Sequence, residues 1–302
     1  MQNFWSLGKK IYNMSNPREA RRCVVFCVRA MANRSRMRQI DAFFHQDAVL
    51  QQVADACPFV YEQPTRAFFY HKSTFKERAA LVEAHIGFLC DVLDEHVLLA
   101  LYRHEQMLLW RGESCMEKEF AAFLMFSPGQ RKEGLLSVML RLGESALYQI
   151  IFWLNKAEDG EMAMWIGAMQ GPNMENAKEV VKQVTKACHA YRTKNLILYM
   201  AQAVARALGL KHIYAVSNEG YYANNHIRRD RKLKTDFGAF WEEAGGHVLA
   251  DARFYELPLV EMRKTMEEVP TRKRAVYRRR FAFLDDVEAQ IAENMGKMLR
   301  SR

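Results

Sequence analysis

Two cations at the start of a helix, with tyrosines and carboxylates elsewhere in the chain, are the residues whose types and spacing could do chemistry. Arg192 and Lys194 flank a break, after which Ile197, Met200, Ala201, Val204 and Leu208 repeat at helical period. A helix N-terminus presents free N–H groups and the positive end of its dipole. Two cations there, with Asn195 in the same turn, suit a phosphate; the alternative is a solvated surface. His189 stands one helical turn before Arg192 and is expected to face the same place, as a base or a phosphate contact, or else to be an ordinary buried or capping histidine. Asn218 closes the strand after this helix, where loops of α/β folds carry function, unless its amide caps the next segment. Tyr222, beside Tyr221, is the candidate proton donor, with aromatic packing as the plainer role. Glu133 and Glu219 are the candidate bases. The sequence contains no nucleophile elbow, phosphate-binding glycine loop, zinc-protease helix or dinucleotide fingerprint.

These residues need elements to position them. The first 95 residues read as helical. Asn16-Pro17-Arg18-Glu19 is a helix start, with Asn16 as cap, Pro17 in the first turn and Glu19 able to reach back. Thr74-Phe75-Lys76-Glu77 is a capping box ahead of the stripe Val82, Ile86, Leu89, Cys90 and Leu93. Pro58 and Pro64 bracket an expected loop. From residue 96 to 262 the pattern becomes α/β. Short apolar runs at 97–102, 106–110, 120–126, 135–140, 146–154 and 162–169 are separated by turn residues, which predicts antiparallel strands. Two helices follow, the second ended by Gly209, then a strand at 212–216, a short helix at 237–244 and a strand at 254–257. Residues 263–302 form a basic helical tail.

Half of the residues are apolar and 26% are charged, enough for a large core and far from disorder. No apolar run is long enough to cross a membrane, and the N-terminus lacks a signal-peptide pattern, so a cytoplasmic protein is expected. The six cysteines are scattered and predict buried thiols and no metal site. The net charge of +9 is unevenly spread. Residues 1–40 hold nine basic residues against Glu19 alone; Arg228, Arg229, Arg231, Lys232 and Lys234 form a second cluster, and 272–280 a third. Together they point to an anionic partner: a phosphate-bearing donor, tRNA or anionic lipid. The helix from Asn16 to about Asn33 could lie peripherally on the inner membrane. The alternative is that Val24, Val25 and Val28 bury against the rest of the protein.

Antiparallel strands, a helix entered through a basic turn, a strand ending in Ser217-Asn218, then Phe240-Trp241-Glu242 and Gly245-Gly246 before a last strand are similar to the order in GNAT acyltransferases. The resemblance implies a mixed, mostly antiparallel sheet flanked by helices. It also implies transfer of an acyl or aminoacyl group to an amine, from acyl-coenzyme A or a charged tRNA. Arg192, Lys194, Asn195 and Asn218 would then hold the donor, Tyr222 would return a proton to the leaving group, and His189 or Glu133 would complete the catalytic set. No glycine lies between Asn173 and Leu208, unlike the usual glycine-bearing pyrophosphate loop. The chain also resembles the VirK/YbjX family through Glu133-Gly134-Leu135, Ile166-Gly167-Ala168-Met169-Gln170-Gly171-Pro172, the 189–194 segment, Ala215-Val216-Ser217-Asn218 and Val269-Pro270-Thr271-Arg272-Lys273-Arg274. In that family 189–194 reads His-Gly-x-Arg-Pro-Lys; here Ala190 and Thr193 replace Gly and Pro. This resemblance implies a role in envelope stress, virulence or antimicrobial-peptide tolerance, which a non-catalytic GNAT-like protein could also fill.

Overall fold

The computed structural model describes residues 3–225 and 236–300; the basic cluster Arg228, Arg229, Arg231, Lys232 and Lys234 lies outside the described residues. Helices come first: α1 (Phe4–Ile11), α2 (Pro17–Ala32), α3 (Arg34–Phe44), α4 (Ala48–Ala56), α5 (Phe59–Glu62), α6 (Phe75–Val92) and α7 (Glu95–Tyr102). Five consecutive strands follow: β1 (Met107–Arg111), β2 (Phe120–Met125), β3 (Leu136–Leu142), β4 (Ser145–Lys156) and β5 (Met162–Gln170). Then come α8 (Ala177–Ala187), α9 (Thr193–Ala207), β6 (His212–Val216), α10 (Phe237–Glu243), β7 (His247–Val248), β8 (Phe254–Leu257) and α11 (Arg274–Met298). The class is mixed α/β, with a helical N-terminal region ahead of the sheet.

The eight strands lie in the order β1-β2-β3-β4-β5-β6-β8-β7. Among the described strands only β5 and β6 run parallel, Ala163 opposite His212 through Ile166 opposite Ala215. A parallel pair needs a long crossover, and α8 with α9 supplies it. The pairing stops at Ile166, so the end of β5 from Gly167 to Gln170 runs past its partner. Helix α9 packs on β3 and β4, its Leu196, Ile197, Met200, Ala201 and Val204 fully buried. Trp153, Trp165 and Tyr214 form an aromatic row across β4, β5 and β6, and Tyr70 from the N-terminal region stacks on Trp153. Helix α11 closes the outer edge of the sheet. Asn294 donates to Leu109 O (3.1 Å) and Gln290 accepts from Arg111 N–H (3.1 Å), so backbone groups of edge strand β1 find side-chain partners.

Most expected elements form. Asn16 caps α2 through Arg18 N–H (3.0 Å), although Glu19 reaches past the cap to Asn13 N–H (2.8 Å). Both capping-box bonds between Thr74 and Glu77 are present. Four expectations need correction. Residues 97–102 are helix, not strand: Asp94 caps the turn through His96 N–H, and the run is rich in leucine and alanine, which favour helix. Pro58 and Pro64 do not bracket a loop; each stands where a helical turn begins, a place proline tolerates. Val24 and Val28 do not bury, being 49% and 55% exposed. His189 and Arg192 do not share a helix, because α8 ends at Ala187 and His189 and Ala190 both take positive φ (52° and 60°). The two-residue β7 is too short for any periodicity to reveal.

Candidate functional site

The segment 127–135 lies flat on the sheet. Leu135 N–H donates to Phe152 O (2.9 Å), and two glycines permit the approach. A Cβ at Gly134 would stand 2.5 Å from Phe152 O, and one at Gly167 would stand 1.9 Å from Glu133 O. A side chain at either place would push the loop off the strands. The N-terminal region holds the other side: Gln63 Nε2 donates to Arg131 O (2.8 Å) and Gly134 O (3.2 Å), and Phe69 N–H to Lys132 O (2.7 Å).

Glu133 is thereby fixed with its carboxyl group inside, 5% exposed. Tyr221 donates its hydroxyl to Oε1 and Gln170 its amide to Oε2, both at 2.6 Å. Both donors are neutral. Burial pushes the Glu133 pKa up, and the two hydrogen bonds and the nearby Lys132 charge oppose this only in part. Burial, then the Glu133 charge, drives the Tyr221 phenol upward too. The site joins the loop before β3, the free end of β5 and the loop after β6. The bridge of Tyr70 to Tyr221 and the bond from His71 N–H to Gly220 O (2.8 Å) fasten the last of these to the N-terminal region.

Gln170 also lines a pocket of about 240 Å³ with Gln130, Gln149, Tyr148, Met139 and Met174. Gln149 Nε2 donates to Ser137 Oγ (2.7 Å), which orients the polar wall. Burial raises the Tyr148 phenol, and the Arg192 charge works against this.

At the start of α9, Arg192 occupies the cap position and no side chain caps the helix. Arg192 and Lys194 both reach Glu243: the guanidinium pairs with Oε1, and the ammonium lies 3.0 Å from Oε2 and 4.5 Å above the Phe240 ring. The Lys194 hydrogen bond leads in holding the Glu243 carboxyl below its usual range. Asn195 has a buried Oδ1 with no hydrogen-bond partner among the described residues.

The other expected site residues lie apart from Glu133. His189 lines a groove of about 620 Å³ with Trp110, Cys188, Phe283 and Asp286, its ring edge-on to Phe283. Tyr222 packs against Phe68 and Tyr221, so the tyrosine hydrogen-bonded to Glu133 is its neighbour. Asn218 fastens α10: its Oδ1 accepts from Phe237 N–H and its Nδ2 donates to Asp236, both at 2.8 Å. Glu219 is exposed. Three participants escaped the sequence reading: Gln170, Tyr221 and Gln63. Gln170 lies within one of the motifs quoted above, and no local pattern distinguishes Tyr221 from Tyr222. Among the described residues no cluster of three or more His, Cys, Asp or Glu is arranged to hold a metal ion, and all six thiols are free.

Among the described strands the mixed sheet has one parallel pair, and a buried carboxylate lies near where that pair parts. The chain belongs to a family described as a protein of unknown function, DUF535, whose pattern it matches over residues 15–293, and to which its VirK/YbjX resemblance corresponds. It is 32% identical to the uncharacterised protein YbjX of Escherichia coli over 237 residues, 70% of each chain. An uncharacterised protein of Haemophilus influenzae is 29% identical over 294 residues, covering 97% of this chain and 96% of the relative. A Mannheimia haemolytica protein named membrane protein LapB is 26% identical over 213 residues, 70% of this chain and 90% of that one. No solved structure matches the chain.

Proposed function

We propose that the chain is an acyltransferase-like protein with Glu133 as general base and Tyr221 as its proton partner. The carrying observation is a buried carboxylate whose hydrogen-bond donors among the described residues are neutral, its affinity for protons raised, with Gln170 linking it to a pocket. A base of raised pKa suits proton transfer near neutral pH. As the acceptor amine attacks the acyl carbonyl, its proton passes to Glu133. Tyr221 gives its proton to the departing group and regains one from Glu133. The donor's phosphates would take the place of Glu243 on Arg192 and Lys194, with the start of α9 behind them; the donor is acyl-coenzyme A or aminoacyl-tRNA. Glu133→Gln should lower transfer by about a hundred- to ten-thousand-fold. Millimolar acyl-coenzyme A, or charged tRNA, should raise Tm by mass action. If neither ligand raises Tm, the reading fails.

A second reading has its own support. Glu243 already satisfies both cations at α9, and the chain has no glycine between Asn173 and Leu208. A non-catalytic protein acting in envelope stress would need no open phosphate site, and one relative bears the name of a membrane protein. Unchanged Tm with both donors, together with retained function in Glu133→Gln cells under envelope stress, would favour it.

A further inference from the structure

Helix α2 is apolar around most of its circumference, yet only one side meets the core. Cys23, Phe26, Cys27 and Ala30 are buried. The helical period puts Val24, Val28 and Met31 together on a neighbouring face, where they are 49%, 55% and 58% exposed. Helix α1 packs beside it, with Cys27 Sγ 3.5 Å from Phe4 O, and adds Trp5, 42% exposed. Among the described residues nine large apolar side chains are exposed, and five of them fall within the first 31 residues. Chance exposure is scattered singly; a concentration such as this marks a contact surface.

Charge identifies the occupant. Lys9 stands 5.7 Å over the Trp5 ring. On the other flank of the stripe the helical period sets Arg21, with Arg18 further round. Glu19, the one acid in residues 1–40, is turned away to the backbone of Asn13. Basic side chains bordering an apolar stripe complement an anionic bilayer, whose headgroups take the charges while the acyl boundary takes the valines. A nucleic acid would use the cations and leave the apolar stripe in water.

We propose that the α1–α2 face docks on an anionic lipid surface through Trp5, Val24, Val28 and Met31, with the flanking cations on headgroup phosphates. This stands on residues separate from Glu133 and survives whichever reading of that site holds. The test is co-sedimentation of the full chain with phosphatidylglycerol–phosphatidylcholine vesicles and with phosphatidylcholine alone. Binding is expected to the first only, and to weaken as salt rises. Arg18→Gln with Arg21→Gln should lower it by about thirty-fold. Val24→Ser with Val28→Ser and Met31→Ser should lower it by about ten-fold or more, with unchanged circular dichroism and Tm because all three side chains are exposed. Indifference to both vesicle types overturns the proposal. So does binding that the triple serine variant leaves intact, or that needs only the arginines and is carried equally by tRNA.

Discussion

Glu62 and Glu133 are both buried, 1% and 5% exposed, and one loop serves the two. From that loop Arg131 reaches back to Glu62, Nε to Oε2 at 2.6 Å, with its guanidinium 4.4 Å over the Phe59 ring. Tyr12 donates to Glu62 Oε1 (2.6 Å), and Arg66 stands 3.8 Å from the same oxygen. Glu62 is thus matched by full charges. Two residues after Arg131, Glu133 is given a phenol and an amide and, among the described residues, no ion pair. An ion pair stabilises a carboxylate in its charged form and ties it to one place. Neutral donors in a dry site leave it able to take up a proton. Burial alone therefore does not mark a functional acid; the charge of its partners does.

Substitutions should separate the two. Glu62→Gln strands a partly buried guanidinium and should cost about 3–5 kcal/mol in urea unfolding; a loss below about 1 kcal/mol would show that the pair is not structural. Tyr221→Phe removes one of two donors to Glu133 and should cost about 1–3 kcal/mol, with the apparent pKa of any activity moved further upward. Glu133→Gln keeps the shape and should lie within about 1 kcal/mol of wild type at neutral pH. Its pH dependence has a definite sign. The folded pKa of Glu133 is raised, so its contribution to stability is full below the unfolded value and is lost as pH rises through the folded one. Wild type should therefore lose stability relative to Glu133→Gln on going from pH 4 toward pH 8; the opposite trend would mean that Glu133 is held as an ion. Smallest is Ala190→Gly. Ala190 has φ 60°, which glycine adopts without strain, so the change should stabilise by about 0.5–1 kcal/mol by calorimetry and leave the Glu133 site untouched.

The same contrast shows what the sequence reveals. A capping box and a helical stripe locate α6, and the parallel strands at 162–169 and 212–216 are legible as short apolar runs bounded by turn residues. The run with Leu98, Leu99 and Leu101 in α7 resembles a strand in sequence because an apolar run buried from several sides has no period to separate the two forms. Glu133 was legible as a carboxylate but not as a poised one: its partners lie 37 and 88 residues away. The pairing of Arg192 and Lys194 with Glu243 spans about 50 residues and was hidden for the same reason. The positive φ at Ala190 (60°) is a backbone conformation that glycine adopts without strain, and it arises from a loop whose shape no local period announces.

The bonds from Gln63, Phe69 and His71 have a consequence for how the chain is made. Their acceptors are Arg131, Lys132, Gly134 and Gly220, all later in the sequence. On a ribosome adding about 5–20 residues per second, His71 waits roughly 7–30 s for Gly220 to be synthesised. The N-terminal helices must spend that interval with these partners missing and the apolar surface meant for Trp153 uncovered. Synthesis order therefore exposes the early third of the chain to chaperones and proteases, and variants that slow completion of the sheet should lower yield more than they lower the stability of the finished protein.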